Sequence, residues 1–191
     1  MNETLIQYFE WDLEPDCRLW TQAQRQAPVL ARLGVTGMWL PPAYKGQGGS
    51  RDVGYGPYDL YDLGEFRQKG SIATKYGTRK QYLSAISGLQ KRGIRVLADI
   101  VLNHRMGADK TETLQARTVD PSNRSRILQD LHPVTVWTDY EFPARQGKYS
   151  NFHWHWRHFT GTDCTDAHGS RSILMFEGKN WNPHVSGELG N

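Results

Sequence analysis

Residues 96–102 form a nearly continuous apolar run, Val-Leu-Ala-Asp-Ile-Val-Leu, in which Asp99 is the single charge. A run of this length predicts a strand, and its lack of polar alternation is typical of a strand that is covered on both faces in a parallel sheet. Because parallel strands require long crossovers, the preceding chain should contain further strands separated by helices.

The preceding chain contains such elements. Residues 5–11 are β-rich and short, and residues 37–40 form a second apolar strand that ends at two prolines. Between them a helix is predicted to end at Gly34, and Pro28 makes it either one kinked helix or two short ones. Its apolar stripe consists of Trp20, Ala23, Ala27, Leu30 and Ala31.

A second helix is predicted between residues 78 and 93. Thr78 and Gln81 have the spacing of a capping box, and Gly93 supplies a stop signal. The apolar face of this helix is expected to hold Leu83, Ile86 and Leu89. The resulting order, β-α-β-α-β, implies right-handed crossovers and a parallel sheet.

Two stretches do not follow this alternation. Residues 43–77 form a long connection rich in Gly, Tyr and Asp, and a loop of that length inside a domain is usually functional. From Arg105 onward the chain has little helical period and many aromatic residues, which predicts a small, irregular, β-rich domain. The predicted domains are therefore residues 1–104 and 105–191.

The composition argues against several classes of function. The net charge of +3 comes from 23 basic and 20 acidic residues scattered along the chain, so no basic stripe for nucleic acid is expected. No stretch approaches the roughly 20 apolar residues of a membrane helix. Met1 leads into a strand rather than a signal sequence, which favours the cytoplasm. Cys17 and Cys164 are expected to be reduced, structural thiols.

Candidate functional residues lie where the predicted strands end, because the βα loops converge there. Asp99 lies in an apolar run and needs a partner, so it is either half of a buried ion pair with an arginine or an active-site carboxylate. Asn103 offers an oxygen of the kind that calcium accepts, and His104 offers donors for a sugar hydroxyl. Both are also common as ordinary loop residues. The other residues at these ends are Glu10, Trp11, residues 41–44 and the Tyr55 loop.

A histidine-rich segment near the end of the chain suggests zinc as an alternative. The strand period of residues 153–156 places His153 and His155 on one face, with His158 and Cys164 further on. However, no pair of ligand doublets at structural-zinc spacing is present, so zinc is not the favoured interpretation. Glu177 and Glu188 are interpreted as solvated loop carboxylates.

The segment LADIVLNH at residues 97–104 resembles the first signature of glycoside hydrolase family 13, the α-amylase family, in which a third barrel strand ends in Asp-x-x-x-Asn-His. Further segments that resemble the family stand in the expected order: QYFEW (7–11), WLPPAYKG (39–46), VGYG (53–56), YDLYDLGEF (58–66), KGS (69–71) and TKYG (74–77). Together they resemble the bacterial liquefying and cytoplasmic amylases over essentially the whole chain.

This resemblance implies a fold of the α/β class. The chain would supply a partial TIM (β/α)8 barrel, made of its first three βα units, with residues 105–191 as the inserted, irregular, β-rich domain B. A complete barrel takes roughly 250 residues.

The resemblance also implies roles for individual residues. Tyr55 matches a tyrosine that stacks on the sugar next to the cleaved bond, His104 a histidine that hydrogen-bonds the same sugar, and Gln7 a glutamine near the cleft. Asp99 matches a buried acidic residue that supports the catalytic centre without being the nucleophile. Asn103 matches a ligand of the structural calcium ion.

Two departures from the family pattern change what is expected of the chain. Where the family has further calcium-binding aspartates, this chain has Thr160 and Asn182, which are uncharged, and calcium affinity depends on charged oxygen ligands. Calcium is therefore expected to bind weakly or not at all. The nucleophilic aspartate and general-acid glutamate of the retaining mechanism, about 5 to 5.5 Å apart, follow the fourth and fifth strands of the family, beyond Asn191.

Two hypotheses from different classes result. In the first, the chain is part of an α-amylase that hydrolyses internal α-1,4 links of starch or glycogen with retention, and it is inactive alone. In the second, it is a non-catalytic glycan-binding or self-assembling module derived from an amylase. Both predict an α-glucan ligand, and both predict that the open sheet edge is covered by self-association or by a complementing C-terminal half.

Overall fold

A three-stranded parallel sheet organises the first part of the chain. The computed structural model describes residues 3–163, 169 and 171–182. In chain order, the helices and strands of this part are β1 (Leu5–Gln7), α1 (Leu19–Arg32), β2 (Gly37–Leu40), β3 (Lys45–Gly46), β4 (Pro57–Asp59), α2 (Arg79–Gln90) and β5 (Arg95–Ala98).

The strand order in this sheet is β1-β2-β5, and both pairings are parallel. Helix α1 connects β1 to β2, and α2 lies on the connection from β2 to β5. The predicted β-α-β-α-β order and the partial barrel are therefore confirmed. The third strand leads into a β-rich segment, as an inserted domain requires.

Helix α1 is a single helix with Pro28 inside it, so the alternative of two short helices is wrong. It ends just before Gly34, whose φ of +86° lies in the left-handed region that favours glycine. The fully buried Trp20 packs against Tyr76 and Tyr82, at ring-centroid distances of 5.5 and 4.8 Å. The predicted apolar stripe thus faces the core.

Helix α2 begins with the predicted capping box, in which the Thr78 side chain accepts from the Gln81 amide. Its buried residues are Tyr82, Ala85 and Leu89. Leu83 is 42% exposed, so its assignment to the buried face is wrong. The spacing of three and four residues from Tyr82 defines the buried stripe, and Leu83 lies beside that stripe on the solvent side.

Strand β5 is shorter and less covered than its apolar sequence predicts. Among the described residues it pairs with β2 alone and forms an edge of the sheet. Leu97, Ile100 and Leu102 are 44%, 59% and 77% exposed, so the expectation of a strand covered on both faces is wrong for this chain. The apolar run belongs to a strand that lacks a neighbour on its outer side within the described residues.

The long connection of residues 43–77 is ordered by buried charges. Lys45 Nζ lies 3.5 Å from Asp62 Oδ2, and Arg145 Nε donates to Asp59 Oδ2 over 2.8 Å. All four side chains are at most 2% exposed. A small antiparallel pair, β3 with β4, and a 3₁₀ turn at Gly49–Arg51 complete the connection.

The chain divides into two compact units. The first consists of residues 1–107 and 142–150, and the second of residues 108–141 and 151–191. Residues 142–150 carry Arg145 into the first unit. The domain boundary between residues 104 and 105 stays a prediction.

Within its described residues, the second unit contains four antiparallel strands: β6 (Lys110–Asp120), β7 (Asn123–Asp139), β8 (Gly161–Thr162) and β9 (Ile173–Phe176). Their order is β7-β6-β9-β8. The core of this sheet consists of Leu114, Ala116, Val136, Leu174 and Phe176. The predicted β-rich character is present, and much of it resides in one long β6–β7 hairpin that the sequence patterns did not single out.

Neither described helix combines the length and apolar character needed to cross a membrane. Cys17 is half-buried, and burial raises the pKa of its thiol. Cys164 and Glu188 lie outside the described residues, so the expectations about them stay predictions.

Candidate functional site

The carboxyl ends of the three parallel strands meet at one edge of the sheet. In the register of the sheet, Gln7 pairs with Trp39 and Trp39 pairs with Leu97. The segments that follow the strands therefore leave from the same edge, which is where ligands bind in parallel α/β folds.

Tyr55 joins two other sequence-predicted residues at this edge. Its phenol donates a 2.8 Å hydrogen bond to Oδ2 of Asp99. Its backbone carbonyl lies 2.9 Å from Nε2 of His104, and because a carbonyl only accepts, the imidazole nitrogen is the donor. Tyr55 and Asp99 are half-buried and His104 is exposed, so the cluster is open to a ligand on one side.

Asp99 has a second donor, the indole nitrogen of Trp39, at 3.2 Å from the same Oδ2 atom. Both donors are neutral groups. Asp99 therefore has the partners that its apolar surroundings require, and among the described residues it forms no ion pair with an arginine. The alternative of an active-site carboxylate stays a prediction.

Two tyrosines in this region stay protonated over the physiological range. Burial, followed by the hydrogen bond to Asp99 and the charge of Asp99, raises the pKa of Tyr55 to about 12. Burial also raises the pKa of Tyr44 to about 12, although the hydrogen bond from the Val101 amide acts against this. The Tyr44 hydroxyl accepts that bond over 2.9 Å, which ties the end of the third strand segment to the loop after β2.

The loop that carries Tyr55 is built around Asp52 and Gly54. Oδ1 of Asp52 accepts from the amides of Gly54 and Gly56, at 2.8 and 3.3 Å. Gly54 has a φ of +101°, and a Cβ atom there would lie 2.6 Å from Cβ of Pro42. Only glycine fits this position, and the tight contact fixes where the Tyr55 ring stands.

Two aromatic residues of the site received no role from the sequence. Trp11 stacks on Tyr55 with ring centroids 5.9 Å apart and an interplanar angle of 2°, and it is 64% exposed. The sequence could have indicated a role for Trp11, because it lies just after the end of β1, where candidate residues are expected. The contact from Trp39 to Asp99 had no such signal, since it depends on the register between β2 and β5.

Gln7 and Asn103 are the two remaining site residues that the sequence predicts. Gln7 is exposed at the end of β1, and its side-chain amide donates to the Phe9 carbonyl over 2.9 Å. Asn103 is exposed immediately before His104. Of the matched calcium positions, Asn103, Thr160 and Asn182 all offer uncharged oxygens, and a neutral donor set does not fit a tight calcium site.

Comparison with known proteins supports the same site-bearing fold. The model of the α-amylase catalytic domain family matches residues 25–181. An α-amylase of Bacillus licheniformis is 49% identical over 191 residues, which is all of this chain and 37% of that protein. A cytoplasmic α-amylase of Escherichia coli (strain K12) is 43% identical over 194 aligned positions, again covering all of this chain and 39% of that protein.

A solved structure gives the fold independently. Truncated alternansucrase from Leuconostoc mesenteroides NRRL B-1355 superposes with a TM-score of 0.65 at 24% identity, over 77% of this chain and 14% of that one. At this identity the likeness concerns the fold alone. The chain spans well under half the length of these two curated α-amylases. The family match over most of its residues and the identity along its whole length show that the chain belongs to the α-amylase family.

Proposed function

We propose that Tyr55, Asp99 and His104, which lie at the carboxyl ends of the parallel strands, bind a glucose unit of an α-1,4-glucan such as starch or glycogen. The observation that carries the proposal is the pair of hydrogen bonds made by Tyr55, whose phenol donates to Asp99 over 2.8 Å and whose carbonyl accepts from His104 over 2.9 Å. These bonds hold an aromatic ring, a carboxylate and an imidazole at one strand edge. A pyranose offers an apolar face for the ring and hydroxyl groups for the polar side chains.

Trp11 extends this surface. Its ring is parallel to that of Tyr55 and largely exposed, so it offers a second flat apolar face beside the first. Stacking faces contribute about 0.5–1.5 kcal/mol beyond buried area in aromatic pairs. We infer that Trp11 contacts the glucan next to the sugar held at Tyr55, and that Gln7 is a peripheral contact.

We propose that Asp99 supports the site by positioning Tyr55 and is not the nucleophile. Its Oδ2 atom already accepts from both Tyr55 and Trp39, which fixes the carboxylate and the tyrosine relative to each other. We therefore propose that hydrolysis with retention is an activity of a longer α-amylase, whose nucleophile and general acid belong to a part of that protein outside these 191 residues.

Binding and hydrolysis are tested separately. Isothermal titration of the chain with maltoheptaose should give saturable binding that His104→Ala weakens, whereas His132→Ala, which alters a half-buried histidine of β7 in the second unit, should leave it unchanged. Soluble starch should release reducing sugar only when a polypeptide corresponding to the rest of the relatives is added. Absence of maltoheptaose binding by the folded chain would contradict the proposal.

The exposed β5 edge favours a second candidate function, that of a self-associating module. We propose that two copies pair through this edge, since Leu97, Ile100 and Leu102 are exposed and β5 has one strand neighbour among the described residues. Sedimentation velocity should show dimers that Leu97→Lys converts to monomers. A compact monomer of the unaltered chain at high concentration would exclude this association.

Calcium is proposed to bind weakly. The matched positions hold Asn103, Thr160 and Asn182, and none of them supplies the charge on which calcium affinity depends. No step of the proposed glucan binding is assigned to calcium. Millimolar calcium chloride should leave the unfolding temperature of the chain unchanged, and a rise of several degrees would contradict this assignment.

We also propose a cytoplasmic location. Support comes from the 43% identical relative of Escherichia coli, whose name describes it as cytoplasmic. Fractionation of the native cells, with an antibody against this chain, would test the location. Recovery in the culture medium would contradict it.

A further inference from the structure

A cluster of metal-ligating side chains lies in the second unit, apart from the residues to which glucan binding is assigned. Asp139 is the last residue of β7, Glu141 follows two residues later, and His153 lies on the returning segment. Each offers one ligand atom, and these three atoms lie within 4.8 Å of one another. His153 Nε2 contacts Asp139 Oδ1 directly.

The backbone explains why these side chains meet. Tyr140 and Trp154 form an isolated antiparallel bridge, with amide-to-carbonyl distances of 2.8 and 3.4 Å. In an antiparallel pair the neighbours of the bridged residues point to the opposite side, so Asp139, Glu141 and His153 share one face. The other face is anchored, because Tyr140 is 3% exposed and its ring lies 5.8 Å from that of Phe159.

A further residue, Asp109, fixes the backbone on both sides of the bridge. Its amide donates to the Asp139 carbonyl over 2.7 Å, and its Oδ2 accepts from the Glu141 amide over 2.9 Å. Outer contacts of this kind orient metal ligands and strongly influence metal affinity. The ligand-bearing segment is therefore held in place before any ion arrives.

The charge at this cluster favours a cation. Lys110 Nζ donates to Glu141 Oε1 over 2.7 Å, and the side chain of Lys110 is 60% exposed. The negative charges of Asp139 and Asp109 also act on this ammonium group. Three carboxylates thus surround one mobile ammonium group, which can swing into solvent when another cation takes its place.

We propose that Asp139, Glu141 and His153 bind a divalent transition-metal ion, with zinc as the expected species. Two carboxylate oxygens and one imidazole nitrogen suit zinc, with water in the fourth position, whereas calcium takes oxygen ligands and does not use the imidazole. Tetrahedral zinc with bonds of about 2.0–2.2 Å requires ligand atoms roughly 3.3 Å apart. Rotation of the Glu141 side chain, which is 39% exposed, brings its carboxylate closer, while the hydrogen-bonded atoms of Asp139 and His153 move apart to admit the ion.

This site differs from the zinc alternative that the sequence suggests. That alternative groups His153, His155 and His158 with Cys164, which lies outside the described residues. In the structure His155 packs against His158, with ring centroids 4.3 Å apart, and His153 turns to Asp139 instead. The partners of His153 are carboxylates that sequence spacing alone does not connect with it.

The experiment is isothermal titration of the metal-free chain with zinc chloride, with cobalt chloride as a spectroscopic probe. One zinc ion per chain is expected, and cobalt should give visible absorption typical of nitrogen and oxygen ligands. His153→Gln and the isosteric Asp139→Asn should each weaken zinc binding roughly tenfold or more, by analogy with losses on altering metal-site residues. His132→Gln, seven residues before Asp139 on β7, is the matched control and should bind zinc as the unaltered chain does.

Lys110→Met separates a metal site from an ordinary surface ion-pair cluster. If the ammonium group competes with the metal, its removal should tighten zinc binding severalfold. If the cluster only forms ion pairs, this variant loses one contact and zinc affinity does not rise. Far-UV circular dichroism checks that each variant is folded. Unchanged zinc affinity in both folded His153→Gln and folded Asp139→Asn, or no zinc binding by the unaltered chain, would overturn the proposal.

Discussion

The phenol of Tyr55 donates to Oδ2 of Asp99 over 2.8 Å, which ties the loop after the second parallel strand to the end of the third. The same tyrosine accepts from His104 through its carbonyl. One residue thus connects the polar groups at the strand edge and presents a ring stacked on Trp11. If the glucan proposal is right, the ring and the hydroxyl of Tyr55 make separable contributions.

The first prediction separates these contributions. Tyr55→Phe keeps the ring and removes the hydrogen bond to Asp99, so maltoheptaose affinity should fall by less than about threefold. Tyr55→Ala removes the stacking face as well and should lower affinity roughly tenfold, consistent with about 1.4 kcal/mol of lost aromatic contact. Isothermal titration measures both. Equal losses in the two variants would mean that stacking on this ring does not contribute to binding.

The second prediction concerns Gly54. Gly54→Ala forces a side chain into a left-handed conformation and against Pro42, at 2.6 Å, and it should lower the free energy of unfolding by about 1–3 kcal/mol. It should also weaken maltoheptaose binding, because Tyr55 follows directly. Urea unfolding and isothermal titration provide the two measurements.

Gly70→Ala is the matched control for Gly54→Ala. Gly70 also has a positive φ, +79°, but nothing lies within 4 Å of a Cβ atom built there. This control carries the backbone strain without the clash or the neighbouring tyrosine. If the control weakens maltoheptaose binding as much as Gly54→Ala does, the proposed dependence of Tyr55 on Gly54 is wrong.

Short-range sequence patterns predicted much of this fold. The capping box of Thr78 and Gln81 and the stop at Gly34 involve residues close together in the chain, so their patterns predicted both helix ends correctly. The apolar run around Asp99 indicated the third strand for the same reason. Asp99 could be named as a candidate because its place at a strand end follows from strand order alone.

What the sequence could not reveal depends on distant contacts. The hydrogen bond from Trp39 to Asp99 joins residues on two strands and requires their register. The exposure of Leu97 depends on what lies beside β5, which no pattern within the strand encodes. His153 and Asp139 meet through the bridge of Tyr140 with Trp154, and that pairing has no periodicity to reveal it.

The third prediction is a pH dependence of stability at Glu65. Hydrogen bonds from Lys148 and from Tyr149, the latter over 2.7 Å, hold the pKa of Glu65 below its ordinary value of 4.5. A lowered pKa means that the fold favours the carboxylate. This contribution to stability is therefore complete above pH 4.5 and is lost as the pH falls through the lower pKa of the folded state.

Glu65→Gln should accordingly destabilise the chain at neutral pH, and the difference from the unaltered chain should shrink as the pH falls below 4.5. Thermal unfolding followed by circular dichroism at several pH values measures this difference. Glu3→Gln is the control, because Glu3 and Arg95 form an ion pair in which both side chains are 67% exposed, and its effect should be small throughout. A difference for Glu65→Gln that is constant with pH would rule out the assigned cause.

The fourth prediction concerns the ion pair between Arg145 and Asp59, whose side chains are 2% and 1% exposed. Arg145→Met leaves the Asp59 carboxylate buried without its cation, and it should lower the free energy of unfolding by about 3–5 kcal/mol. Lys148→Met removes a more exposed ion pair, that with Glu65, in which the side chains are 53% and 26% exposed, and it should have a much smaller effect. Urea unfolding at neutral pH measures both variants.

A double variant tests whether the unpaired charge is the cause of that loss. Burial already raises the pKa of Asp59, so its neutral form is the one that the interior favours. Adding Asp59→Asn to Arg145→Met removes the unpaired buried charge and should recover part of the lost free energy of unfolding. Lowering the pH protonates Asp59, so it should also reduce the difference in stability between Arg145→Met and the unaltered chain. If the double variant is instead as unstable as the sum of the two single variants, Arg145 stabilises the chain through its hydrogen bonds to the carbonyls of Lys148 and Ser150 rather than through the charge of Asp59.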